Sequence, residues 1–290
     1  MNTSQNTTSV RTWLITGCST GFGRALALAA LDRGDQVVAT ARDVSTLADL
    51  TRQHPERALA LTLDVRDEDA ARRAVDQATA HFGGIDVVVN NAGVGLFGGV
   101  EEVSDSQARA IFDTNVFGVL TVLRATLPVL RRQGSGHVVQ LSSMYGQASH
   151  AGVGLLSASK YAVEGLSDAL AEELAPLGIR LTVVQPSYCA TSFLANLAAA
   201  EPDEAYDASV GAVRRSLGGL EPSTLGDPAR VAQAILDVVD SPTPPRRLAL
   251  GAQAEAAIRG ALQGRPADLD GSLAATLSVD APAEAVPVTG

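Results

Sequence analysis

Apolar residues along this chain recur in two spacings. Short continuous runs occur at 12–16, 36–40, 59–63, 86–90, 137–141, 180–184 and 247–250. Longer stretches with a helical period occur at 25–31, from about 45, and at 68–81, 106–132 and 153–174. A short apolar run with no alternation suits a strand covered on both faces, and a period of about 3.6 suits an amphipathic helix. Strand and helix therefore alternate.

That alternation predicts an α/β fold, a single-domain doubly wound parallel sheet of Rossmann type. Right-handed crossovers place the strand C-terminal ends along one edge, where ligands of such sheets bind. The core domain is expected over 11–251, after a flexible N-terminus at 1–10. Residues 188–225 break the alternation and read as a substrate-covering insertion over that edge. Pro242, Pro244 and Pro245 precede the last strand. The Ala-, Gly-, Pro- and Asp-rich stretch 252–290 reads as a partly mobile C-terminal extension, with 265–290 largely tail.

With 290 residues, 46% of them hydrophobic, the chain can bury a substantial core. A net charge of -10 argues against a nucleic-acid partner. Two cysteines, Cys18 and Cys189, build no disulfide framework and point to a reducing compartment. The polar first ten residues lack an apolar signal core, so the expected location is cytoplasmic and the sequons at Asn2 and Asn6 are read as chance. No apolar run reads as membrane-spanning, since 116–130 is interrupted by Arg124. No metal site is expected.

Chemistry concentrates after the strands. Thr16-Gly17-Cys18-Ser19-Thr20-Gly21-Phe22-Gly23 lies between the first strand and helix. Its glycines would let backbone approach a pyrophosphate at a helix N-terminus, or simply form a tight turn. Past the second strand stands Arg42, where an acidic residue would hold a ribose 2′-OH. A guanidinium suits a 2′-phosphate, with Ser19 as a further donor; a local ion pair with Asp43 is the plainer alternative. Asn90-Asn91-Ala92-Gly93 follows the fourth strand and suits a ribose or a strand-stabilising network.

Taken together over about 11–251, these motifs resemble the short-chain dehydrogenase/reductase family. Asp64-Val65, Asn115, Ser143, Lys160 and the stretch Pro186 through Thr191 add to the resemblance. The finer likeness is to NADP-preferring members related to hydroxysteroid and retinol dehydrogenases. It rests on Thr40-Ala41-Arg42 and on Lys160-Tyr161-Ala162-Val163-Glu164-Gly165. The resemblance implies an oxidoreductase with NADP as cofactor. Gly17, Ser19, Thr20, Gly21, Phe22, Gly23 and Pro186 would border it. Asp64 and Val65 would contact adenine, and Asn90, Asn91, Ala92 and Gly93 would line the adenosine ribose and nicotinamide side. Ser143 would bond the substrate oxygen, Lys160 the nicotinamide ribose, and Thr191 the carboxamide. Asn115 would anchor a water linked to Lys160, or mark a helix kink. Thr191 has a plainer reading as a helix cap. The long apolar helices 106–132 and 153–174 suggest a homodimer or homotetramer.

Two residues depart from the pattern. Ser187 follows Pro186 where glycine is usual. Leu156, four residues before Lys160, stands where the family carries the tyrosine that protonates the alkoxide. Tyr145 is the first candidate for a substitute donor, with Tyr188 and His150 behind it; Tyr161 is rotated about 100° from Lys160 on a helix. Three readings follow: hydride transfer with another donor or to an iminium that needs no proton, redox-neutral catalysis such as cyclisation or isomerisation, or no catalysis. Val94, Leu96, Phe97, Met144, Leu156, Phe193 and Leu194 are expected to line a pocket for a hydrophobic small molecule.

Overall fold

The computed structural model describes residues 10–279. The expected flexible N-terminus and the end of the tail, 280–290, lie almost wholly outside them. In chain order come β1 (Thr12–Ile15), α1 (Gly21–Arg33), β2 (Gln36–Ala41), α2 (Ala48–Gln53), β3 (Ala58–Thr62), α3 (Glu68–Phe82) and β4 (Val87–Asn90). Then follow β5 (Leu96–Phe97), α4 (Asp105–Phe112), α5 (Gly118–Gln133), β6 (Gly136–Leu141), α6 (Gly154–Leu174) and β7 (Ile179–Pro186). The last elements are α7 (Ser192–Ala195), β8 (Ala198–Ala199), α8 (Ala212–Gly218), α9 (Pro228–Asp240), β9 (Arg247–Leu250), α10 (Ala252–Gly271) and α11 (Leu273–Leu277).

Seven strands form one parallel sheet in the order β3-β2-β1-β4-β6-β7-β9. The order reverses between β1 and β4, which makes the cleft beyond their C-terminal ends the switch point. Strands run apolar without alternation because helices cover both faces. One face carries α1 and α9, with Trp13, Ile15, Leu26, Leu31, Val37 and Ile235 buried between the layers. The other carries α3, α5 and α6, packed through Leu14, Val38, Val88, Val122, Val163 and Val183.

The helix expected over 106–132 runs unbroken from Asp105 to Gln133 and contains one π turn at Asp113–Phe117. Being continuous, 105–133 is long and apolar enough by composition to cross a membrane, which corrects the expectation drawn from Arg124. Here it is a core helix, with Ile111, Val119, Val122, Leu123 and Leu130 buried.

Several elements escape the sequence pattern. Helix α9 does, although Asp227 caps it and Pro228 sits at its first position. So do the short helices α7 and α8 and the two-residue pairing of β5 with β8. The C-terminal extension holds two helices that the sequence pattern did not show: 252–271 and 273–277 are helical, and they reach into the first part of the 265–290 stretch read as tail. Ala254 is wholly buried, and Ala257 and Ile258 pack on a third apolar cluster with Met144, Tyr145 and Leu156. Tertiary anchoring thus outweighs the Gly and Pro content of that stretch.

Candidate active site

A cavity of about 630 Å³ opens at the C-terminal edge of the sheet. That volume suits a small-molecule or cofactor site. Its wall is assembled from the loops after β1, β2, β4, β6 and β7, together with α6 and the 188–225 segment.

At one end lies the glycine loop. Gly17 and Gly21 take positive φ values of 73° and 61°, conformations that disfavour any side chain. A Cβ on Gly23 would stand 2.4 Å from both the Gly17 carbonyl oxygen and Asn91 Nδ2, so only glycine lets α1 start this close. Asn91 ties the loop down, its Nδ2 donating to the carbonyls of Thr16 at 2.7 Å and Gly17 at 3.1 Å. Thr16 Oγ1 accepts from the backbone N–H groups of Asn91 and Ala92, both at 3.0 Å. Asn91 is therefore a strand-stabilising residue that also faces the cavity. Thr20 caps α1 without a side-chain hydrogen bond, and no acidic residue occupies the first turn. The first-turn N–H groups and their positive potential are thus left for an anion.

Gly17, Ser19, Thr20, Gly21, Phe22 and Arg42 share this end of the wall. The alternative ion pair between Arg42 and Asp43 does not form. Asp43 turns instead to accept from Ser45 N at 3.0 Å, which holds its carboxyl below the usual range. Asp64 and Val65 are not in the wall. Asp64 takes a bidentate pair from Arg66, with Nη2 to Oδ2 at 2.6 Å and Nε to Oδ1 at 2.9 Å. Val65 is buried against Gly118. Gly23, Asn90, Asn115 and Leu96 likewise sit behind the wall, not in it.

Ser143, Lys160 and Leu156 meet in the middle. Ser143 Oγ accepts from Tyr145 N at 3.2 Å, which leaves its own proton to donate. Lys160 Nζ donates to the Leu141 carbonyl at 2.8 Å, spending one of its three protons. Burial pulls the ammonium down to about 8, against a smaller opposing pull from Glu164. Asn115 sits in the π turn. Its Nδ2 donates to Val94 O at 2.9 Å and Ser159 Oγ at 3.1 Å, and its Oδ1 accepts from Val94 N at 2.9 Å. Leu156 is buried on the α6 face one turn before Lys160 and presents only methyl groups.

Thr191 both caps α7, accepting from Phe193 N at 3.3 Å, and lines the cavity with Pro186 and Ser187. Ser187 N donates to Leu250 O at 2.9 Å, and a Cβ on Gly251 would come 2.3 Å from its Oγ. Ser192 Oγ donates to Thr20 Oγ1 at 2.8 Å, joining the covering segment to the glycine loop. The apolar wall is Val94, Phe97, Met144, Leu156, Phe193 and Leu194, joined by Val153, Leu197 and Leu217, which the sequence did not mark. Leu217 comes from α8, far along the chain and without a local signal.

Sequence reading also missed two supports. Glu164, buried beneath the site, accepts from Gln147 at 3.1 Å, Gln185 at 2.9 Å and Arg247 at 2.9 Å, stitching β7 and β9 to α6. Tyr145, Tyr188 and His150, named singly from the sequence, form one hydrogen-bonded group.

The family model for short chain dehydrogenases matches residues 11–202. The oxidoreductase BOA17 of Botryotinia fuckeliana is 38% identical over 244 residues, 83% of this chain and 89% of its own. Human retinol dehydrogenase 8 is 36% identical over 254 residues, 82% of this chain and 80% of its own. A short-chain dehydrogenase of Streptomyces avermitilis superposes with a TM-score of 0.87 at 40% identity, over 94% of this chain and 100% of that one. A Burkholderia phymatum member in complex with NAD has a TM-score of 0.76 at 25% identity, covering 86% and 92%. A Burkholderia cenocepacia member in complex with NADP has 0.71 at 25%, covering 90% and 96%. The chain belongs to the short-chain dehydrogenase family of oxidoreductases. The glycine cradle, the uncapped α1 terminus and the buried Lys160 ammonium fit a nicotinamide dinucleotide.

Proposed function

We propose that the protein is an NADP(H)-dependent oxidoreductase of a hydrophobic carbonyl or alcohol, working without the usual tyrosine acid. The observation that carries this reading is one continuous cavity with Arg42 at one end and Ser143 and Lys160 beside an apolar wall. Arg42 makes no ion pair among the described residues, so its guanidinium is available to a 2′-phosphate. The α1 terminus and glycine loop would hold the pyrophosphate, and Lys160 the nicotinamide ribose. When bound, the nicotinamide supplies or accepts the hydride. Ser143 would donate a hydrogen bond to the substrate oxygen and fix its position, without giving up its proton. Val153, Leu156 and Phe193 exclude water from the reacting end.

Leu156 has no proton to transfer. A positioned general acid contributes about 10²–10⁴-fold, roughly 3–5 kcal/mol of barrier. Carbonyl reduction therefore requires a donor elsewhere in the wall. The methyl surface of Leu156 also favours a second reading, reduction of a C=N bond in an iminium, which becomes a neutral amine with no added proton. Calorimetric titration should give tighter NADPH than NADH binding, and Arg42→Ala should weaken NADPH by about tenfold, as expected for losing a charge-assisted hydrogen bond. Equal affinity for the two cofactors, or an unchanged NADPH affinity in the variant, would reject the NADP assignment. A ketone panel beside a preformed cyclic iminium separates the two substrate classes.

A further inference from the structure

Tyr145, Tyr188 and His150 come from three separate segments and meet at the cavity wall. Tyr145 lies in a single turn after β6, is 7% exposed and shares the apolar cluster of Leu156. Tyr188 follows β7, and its hydroxyl hydrogen-bonds that of Tyr145. His150 Nε2 lies 2.6 Å from Tyr145 Oη and 3.4 Å from Tyr188 Oη. His150 Nδ1 lies 2.9 Å from the Ala151 carbonyl oxygen. Both tyrosines line the cavity, whereas His150 is solvent-exposed and outside its wall. The group thus joins the reacting space to bulk water.

The bonding fixes the proton inventory. A carbonyl oxygen can only accept, so Nδ1 carries a hydrogen. Neutral His150 then offers Tyr145 a bare Nε2, and Tyr145 donates to it. When His150 takes up a second proton, the same 2.6 Å bond reverses and Nε2–H donates to Tyr145 Oη. With Tyr188 donating as well, Tyr145 Oη accepts two hydrogen bonds and its own O–H is released toward the cavity. Burial and the Tyr188 contact push the Tyr145 phenol up, so it holds its proton until one is called for.

We propose that Tyr145 is the proton donor of this active site, in place of a side chain at position 156, and that Tyr188 and His150 position and recharge it. This rests on the oxidoreductase reading above. In reduction, the substrate carbonyl carbon gains a hydrogen and two electrons from a reduced nicotinamide as the C=O π pair moves onto oxygen. That oxygen forms an O–H bond while the Tyr145 O–H bond breaks. The Tyr145 phenolate, held by two donors, takes the Nε2 proton of His150, and His150 regains the one solvent proton that the reaction consumes. Overall, carbonyl, reduced nicotinamide and one proton become alcohol and oxidised nicotinamide.

The test uses Tyr145→Phe, Tyr188→Phe and His150→Gln, each alone and each with Leu156→Tyr. NADPH binding is followed by fluorescence and alkyl aryl ketone reduction by absorbance. Tyr145→Phe should lower kcat by about 10²-fold with little change in KM, and the other two by less. NADPH affinity should stay unchanged. In the Leu156→Tyr background, which returns a hydroxyl to the face of Lys160, all three losses should shrink to a few-fold. A purely structural role for the three side chains would leave the losses undiminished there, and that result overturns the proposal. So does full activity in Tyr145→Phe, or an intact protein that binds NADPH yet reduces no ketone. Failure to bind either NADPH or NADH would instead reject the oxidoreductase reading beneath it. Independently of activity, 15N NMR of the four histidines, with His150 assigned by His150→Gln, should show the Nδ1–H tautomer. An Nε2–H tautomer would overturn the proposed direction of transfer.

Discussion

Lys160 shows how one buried charge ties the cofactor site to pH. Its ammonium pKa is pulled to about 8 by burial, against 10.5 in the open chain. Ribose hydroxyls accepting from Nζ would favour the charged form and raise that value on binding. Binding should therefore take up protons near and above pH 8. NADPH affinity should fall as pH rises through about 8, and Lys160→Met should flatten that slope. Calorimetry in two buffers of different ionisation enthalpy measures the uptake; an uptake unchanged in Lys160→Met would remove Lys160 from the cofactor site. The sign for stability runs the other way. Between about 8 and 10.5 the unfolded chain holds the proton and the folded one does not, so this group makes folding more favourable as pH rises.

At the scale of elements, α10 is a brace under the site. Arg265 Nη2 donates to the Gln147 carbonyl and to Tyr161 Oη, both at 2.9 Å, and its guanidinium lies over the Tyr161 ring. Tyr161 Oη in turn donates to the Gln147 carbonyl at 2.5 Å. Those bonds hold the turn that carries Tyr145 against α6. Arg265→Ala should cost about 1 kcal/mol, a fall in Tm of roughly 2–4 °C for a chain of this size. It should raise the KM for ketone more than that for NADPH, because its bonds fall on Gln147, at the end of the turn that carries Tyr145. Scanning calorimetry and steady-state kinetics check both; an unchanged Tm would mean that α10 is not held there in solution. Tyr161 also explains itself at this scale: a helical step turns it from Lys160 toward α10.

Over the whole molecule, what the chain revealed and hid follows physical lines. The seven sheet strands were readable because strands covered on both faces leave uninterrupted apolar runs, as in Val87-Val88-Val89. The glycine loop was readable because Gly17, Gly21 and Gly23 each answer a local steric demand. Local spacing could not show that Tyr145 meets Tyr188 across 43 positions, or that Leu217 reaches the pocket. It showed no helix over α10, and took its last turns for the start of a tail, because Ala, Gly and Asp carry little pattern, while its anchors are tertiary. The expected homodimer or homotetramer is a property of this scale too. Phe117 is 56% exposed at the π turn between α4 and α5, where one face of the helix is otherwise buried in the core. A large aromatic left in water beside a continuous apolar helix is the kind of anchor that subunit contacts use. Self-association through this face would need roughly 1,000 Å² or more of buried surface. Light scattering at micromolar concentration should give a multiple of the 29.8 kDa chain mass, and Phe117→Glu should return it to the monomer with NADPH binding retained. A monomer mass for the unaltered protein would reject the oligomer, and an unaltered multiple in Phe117→Glu would place its interface elsewhere.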